Sequence, residues 1–190
     1  MLFGKLFGKG SKTNDKSKDD SSAKKEEKIT IKTPFTTFYY INNPPHEIGY
    51  EAELEWYERP QEGPERFRYN PVGCYIDCDT SDTTEASLCL ERLTRLFEDR
   101  KWTDGKVKLD VAENLKGEDG LIKDYSGNPV SKDELMDNLK IRFITVYRDG
   151  SIAYSLDHHC PLDTESDVHI VYAGNGDISI KSDSEFYGFN

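Results

Sequence analysis

Apolar and polar residues first alternate regularly at Phe35-Thr36-Thr37-Phe38-Tyr39-Tyr40-Ile41, a strand that stops at Asn42-Asn43-Pro44-Pro45, where two prolines end it. Residues 50–57 form the cleanest strand in the chain: Tyr50, Ala52, Leu54 and Trp56 share one face, and Glu51, Glu53 and Glu55 share the other. A Pro/Gly-containing turn around residues 60–64 leads to residues 72–79, where Cys74, Ile76 and Cys78 stand opposite Tyr75, Asp77 and Asp79. Three strands in succession predict an antiparallel meander.

The period then changes. Asp82-Thr83-Thr84-Glu85 is an N-cap with a glutamate three residues on, and Ala86, Cys89, Leu90, Leu93, Leu96 and Phe97 follow at helical spacing, predicting a helix over about 83–100. Trp102, Val107, Val111, Ala112 and Leu115 predict a second helix ending near Gly117. Ser131-Lys132-Asp133-Glu134 opens a short third helix carrying Leu135, Met136 and Leu139. The last third returns to strands: residues 140–147 and 152–156 flank Arg148-Asp149-Gly150-Ser151, and residues 168–172 and 177–181 flank Ala173-Gly174-Asn175-Gly176. Glycine in a short polar turn between apolar runs marks a hairpin that needs positive φ. The order predicts an α+β domain, an antiparallel β-sheet with two to three helices inserted mid-chain and packed on one face.

Charge divides the chain. Its 190 residues carry 25 Lys+Arg against 36 Asp+Glu, a formal −11, yet residues 1–28 hold eight lysines and five acids, which leaves −14 on residues 29–190. The predicted organisation is a disordered lysine-rich tail, residues 1–28, and a single α+β domain, residues 29–190. Aromatics at 12% argue against a wholly disordered chain, and no apolar run approaches the roughly 18 residues of a membrane span. So acidic a body would have to segregate its few cations sharply to offer the positive face that releases counterions from phosphate, so no nucleic acid partner is expected, and a basic protein partner or plain solubility fits better. In the tail, Leu2-Phe3-Gly4-Lys5 repeats as Leu6-Phe7-Gly8-Lys9. As a helix, residues 1–9 would put four apolar side chains on one face for weak peripheral membrane contact, but Gly4 and Gly8 oppose that helix and a solvated tail is preferred.

Cys74 and Cys78 share a strand face about 13 Å apart, too far to hold one zinc ion, and Cys89 falls on the apolar stripe of the first helix, so buried free thiols in a reducing cytoplasm are expected. Asp157-His158-His159-Cys160, with Asp163, Glu165, Asp167 and His169 following, is the one local concentration of metal-capable or acid/base groups. A Cys160 nucleophile beside His169 or His46 has no flanking signature. Gly174 and Gly176 lack the helix and lysine of a phosphate cradle, so no cofactor is expected.

The segment Gly49-Tyr50-Glu51-Ala52-Glu53-Leu54-Glu55-Trp56, the Tyr147-Arg148-Asp149-Gly150-Ser151 hairpin, the strand Val168-His169-Ile170-Val171-Tyr172 and the terminal Tyr187-Gly188-Phe189 resemble a bacterial family of uncharacterised proteins, domain of unknown function 2262. Members often carry an aromatic-Gly pair just before the histidine, where this chain has Ser166-Asp167-Val168, so no site at His169 is carried over. The resemblance implies an α+β bacterial cytoplasmic domain and no established activity. The favoured function is a non-enzymatic acidic protein-binding module of immunity or adaptor type, in which Glu51, Glu53, Glu55, Asp77, Asp79 and Asp82 steer and hold a cationic partner beside exposed aromatics such as Tyr39. The alternative is a metal-assisted hydrolase using Asp157, His158, His159 and His169. Oligomeric state is not legible in the sequence.

Overall fold

The computed structural model describes residues 28–44, 47–59, 61, 71–124, 126–157 and 167–188. The N-terminal repeat, His46, the turn at 60 and 62–64, Phe67, Tyr69, His158, His159, Cys160, Asp163, Glu165 and Phe189 lie outside the described residues. The chain runs through β1 Thr30–Lys32, β2 Thr37–Asn43, β3 Glu47–Leu54 and β4 Val72–Asp77 into helices α1 Thr83–Glu98 and α2 Arg100–Asn114. A two-stranded ribbon, β5 Ile122–Lys123 with β6 Pro129–Val130, precedes α3 Lys132–Asn138. Strands β7 Ile141–Val146, β8 Ile152–Leu156, β9 Val168–Tyr172 and β10 Ile178–Ser182 follow, and α4 Asp183–Tyr187 ends the described chain.

Eight strands form one sheet in the order β1-β2-β3-β4-β7-β8-β9-β10, so the fold is α+β as the patterning predicts. Every neighbouring pair is antiparallel except the central one, β4 with β7. Hairpins reverse direction at each step of both meanders, whereas the long helical insertion between β4 and β7 returns the chain to the same edge pointing the same way. The closing hairpins form where Asp-Gly and Asn-Gly mark them: Tyr147 N donates to Ser151 O at 3.0 Å, Ala173 N donates to Asp177 O at 2.8 Å, and Gly150 and Gly176 take φ of +92° and +96°.

One face of the sheet carries the core. Tyr50, Leu54, Val72, Cys74, Ile76, Ile144, Val146, Tyr154, Leu156, Val168 and Ile170 are buried there together with Ala86, Cys89 and Leu93 of α1 and Val107, Val111 and Ala112 of α2. Each large apolar side chain so removed from water contributes roughly 1.5–3 kcal/mol. Local chemistry starts the helices: Asp82 Oδ1 accepts from Thr84 N at 2.8 Å and Ser131 Oγ accepts from Glu134 N at 3.0 Å, as the two N-cap sequences predict. Glu85 does not close a capping box with Asp82; its carboxylate accepts from Cys78 Sγ at 3.6 Å. The short strand β1, the β5–β6 ribbon and α4 have no forerunner in the hydrophobic pattern, being too brief to show a period. Among the described residues no helix is long and apolar enough to cross a membrane.

Candidate functional site

The second face of the sheet holds Glu51, Glu53, Asp77 and His169 among the candidates. Register links its residues into rows across the strands: Glu53, Gly73, Phe143, Ser155, His169 and Lys181 stand side by side, and next to them Tyr39, Glu51, Tyr75, Thr145, Ala153 and Val171. The two ends of these rows differ. Over β9 and β10 the face is covered by α4, whereas from β2 to β7 a groove of about 740 Å³ lies open, lined by Tyr39, Glu51, Glu53, Arg59, Gly73 and Phe143. Tyr39 is 46% and Phe143 37% exposed.

Glycine shapes this groove. A Cβ on Gly73 would run into the Phe143 ring of the neighbouring strand, so the absence of a side chain lets the ring lie across the strand. Gly49 does the same for Tyr75, whose ring covers it while Tyr75 Oη donates to Ile48 O at 2.7 Å. An aromatic ring over a neighbouring glycine restores packing that glycine lacks. Beside it, β7 carries an irregularity between Ile141 and Phe143, which leaves Arg142 and Phe143 exposed in succession.

The six predicted contact residues separate into distinct environments. Glu51, Glu53 and Asp77 share the open face, and among the described residues neither Glu51 nor Glu53 forms an ion pair. Glu55 stands at the groove's rim, 3.5 Å from Arg59. Asp79 belongs to the β4–α1 connection, paired with Arg148 at 2.9 Å, and Asp82 is occupied as the cap of α1. The Thr84 backbone N–H holds the Asp82 carboxyl below the ordinary aspartate value. Phe143 and Gly73 complete the groove and were missed by sequence reasoning, because strand order decides that β7 lies beside β4.

The covered end contains a buried polar relay. Ser155 Oγ lies 2.9 Å from His169 Nδ1, and His169 Nε2 lies 2.6 Å from Asp183 Oδ1. The consistent proton arrangement has Nε2–H donating to the carboxylate and the serine hydroxyl donating to Nδ1. His169 is fully buried, Phe186 stacks on its ring at a centroid distance of 4.0 Å, and Tyr187 meets it edge-on at 5.4 Å. In a serine hydrolase triad the serine faces Nε2 and the carboxylate faces Nδ1, the reverse of what is found here, and the nucleophile must reach substrate, whereas Ser155 is only 5% exposed. The relay fastens α4 to the sheet. Strand alternation shows Ser155 and His169 on one face; Asp183 is supplied by a helix that has no sequence period.

For the 157–169 cluster, Asp157 follows β8 and His169 sits inside β9 with both ring nitrogens engaged, so His169 offers no free nitrogen to a metal in this arrangement. His158 and His159 lie outside the described residues, among which no group of three His, Cys, Asp or Glu side chains is placed to hold a metal ion. Cys74, Cys78 and Cys89 are buried and free, and burial pushes each thiol above its ordinary value, which disfavours the nucleophilic thiolate. A second groove, of about 600 Å³, runs between α1 and the β7–β8 turn. Its guanidinium groups are already engaged: Arg92 with Gly150 O, Arg95 with Glu91 at 2.5 Å, and Arg148 with Asp79. Comparison of the chain with models of protein families, with curated proteins and with solved structures finds no match.

Proposed function

We propose that the protein is a non-enzymatic binding module, of immunity or adaptor type, whose open sheet face takes a basic protein partner. The observation that carries this reading is the groove itself: two exposed rings, Tyr39 and Phe143, beside Glu51 and Glu53, carboxylates that make no ion pair among the described residues. Exposed aromatics supply contact area at low entropic cost, and unneutralised carboxylates steer a cationic surface toward them. Three buried free thiols agree with a reducing compartment such as the cytoplasm. Kinship with the domain of unknown function 2262 family remains part of this proposal and supplies no activity. The hydrolase alternative gains nothing from the engaged His169.

Capture from a lysate of the source cell at low and at moderate salt tests the reading, with the native full chain set against Glu51→Lys/Glu53→Lys and against Phe143→Ala. One stoichiometric basic protein held by the native chain, weakened by salt and lost from both variants, is the expected result. A partner retained equally by all three chains, or no basic partner at all, overturns it.

A further inference from the structure

We infer that the chain's own N-terminal repeat, Leu2 to Lys9 in the sequence, docks in the Tyr39–Phe143 groove and competes there with the partner, an autoinhibitory contact built into one chain. The inference rests on the binding reading above, since it names what occupies the same face before a partner arrives.

Three observations converge on it. The first is where the fold begins: Ile29 O accepts from Tyr40 N at 3.0 Å, and Lys28 Nζ lies 5.8 Å from the centroid of the Tyr39 ring. Lys28 and Ile29, where the described chain starts, therefore lie at the lip of the groove, on the strand edge beside Tyr39. The second is complementarity. The repeat holds Leu2, Phe3, Leu6 and Phe7 with Lys5 and Lys9, while the groove offers, among the described residues, two exposed rings and the carboxylates of Glu51, Glu53 and Glu55 against the one guanidinium of Arg59. Ammonium groups over rings and beside carboxylates are attracted to both. The α1 groove, where Glu91 and Asp149 stand among Arg92, Arg95 and Arg148 and Glu91 is already paired with Arg95, offers less unneutralised negative charge to Lys5 and Lys9.

The third observation is reach. Residues 10–27 span at most about 60 Å when extended, against about 14 Å for the three strand spacings from β2 to β7. A tether of this length sets an effective concentration on the order of millimolar, so a contact too weak to detect between separate molecules is populated within one chain.

The test compares the native full chain with a full chain carrying Leu2→Ser, Phe3→Ser, Leu6→Ser and Phe7→Ser, at low salt. Amide resonances of Tyr39, Glu51, Glu53 and Phe143 are expected to differ between the two chains, independently of protein concentration. A synthetic peptide of residues 1–10 is expected to bind the substituted chain at least tenfold more tightly than the native one. Adding Glu51→Lys/Glu53→Lys to the substituted chain abolishes that binding, and adding the exposed helix change Glu98→Lys leaves it intact. Identical groove resonances in the two chains, equal peptide affinities, or shifts that vanish on dilution overturn the inference, as does capture of the repeat by anionic phosphatidylserine vesicles without any groove shift in their absence. Failure here is separable from failure of the binding reading. A basic partner held equally by native and substituted chains removes autoinhibition and leaves the binding face; tail-dependent groove shifts with no basic protein retained do the reverse.

Discussion

Tyr57 joins three parts of the chain through one hydroxyl. Its Oη donates to Asp104 Oδ1 at 2.8 Å and accepts from Ile141 N at 2.8 Å, tying the segment that follows β3 to α2 and to the start of β7. Burial, with the Asp104 carboxylate beside it, pushes the phenol far above its ordinary value, so it stays a donor throughout the accessible pH range. Tyr57→Phe leaves a backbone N–H and a carboxylate oxygen short of a partner, and urea unfolding should show a loss of about 1–3 kcal/mol. Thr103 is the opposite case. It is 4% exposed and its hydroxyl has no partner among the described residues, so Thr103→Val, which keeps the shape, should stabilise the protein by about 1 kcal/mol in the same assay. Asp149 adds a pH dependence: hydrogen bonds from the Ser151 hydroxyl and backbone N–H hold its carboxyl below the ordinary value. A carboxyl depressed in the folded state contributes stability above its unfolded pKa and loses it as pH falls through the folded one. The Tm difference between the native chain and Asp149→Asn should therefore be fullest near neutrality and shrink below about pH 4.

At the scale of elements, α4 is the piece with least support of its own. A five-residue helix lies well below the length at which helices persist in water, so its order comes from docking. Its contacts include the Asp183–His169 hydrogen bond, a second bond that Asp183 Oδ2 accepts from Asp167 N at 3.3 Å, the Phe186 and Tyr187 rings against His169, and a local bond in which Ser182 N donates to Glu185 Oε2 at 2.9 Å. Asp183→Ala removes both hydrogen bonds of the carboxylate while leaving the sheet ladder untouched. Hydrogen exchange should then show loss of amide protection across residues 184–188 and retained protection in β8 and β9. Equal protection in both chains would mean that aromatic stacking alone secures the helix. The same arrangement gives the buried histidine a structural role: imidazole is one of few side chains that can bridge a strand hydroxyl on one side and a helix carboxylate on the other.

For the whole molecule, the distribution of charge matters more than its sum. The helical side engages many of its ions locally, as in Lys106 with Asp110 at 2.6 Å, Lys108 with Asp104 at 3.1 Å and Arg148 with Asp79, whereas the open sheet face leaves Glu51 and Glu53 unneutralised among the described residues. Exposed charges of this kind act on association rate, and their influence fades as the Debye length falls from about 10 Å at 0.1 M salt to about 3 Å at 1 M. On the proposed binding reading, association with the basic protein captured from lysate, measured by stopped flow, should slow with rising salt in the native chain, and Glu51→Lys/Glu53→Lys should both lower the low-salt rate and flatten the dependence. A salt slope unchanged by the double substitution would place the steering charges elsewhere.

What the sequence by itself determined is local: the strand alternation from Tyr50 to Trp56, the caps at Asp82 and Ser131, the glycine turns at Gly150 and Gly176, and the α+β class that their order implies. Each depends on neighbours within a few residues, where the period of the chain and the capacity of a side chain to cap or turn the backbone decide the outcome. It also showed that Glu51 and Glu53 face away from the core, since parity alone places them. Only the tertiary structure decided which strands lie side by side. Placing β4 parallel to β7 brings Phe143 across Gly73 and makes a groove of residues seventy positions apart, and docking α4 brings Asp183 to His169. It also pairs Asp79 with Arg148 of the β7–β8 turn, a contact between residues far apart in sequence. Pairings over such separations are set by the packing of the whole core, and no short-range pattern records them.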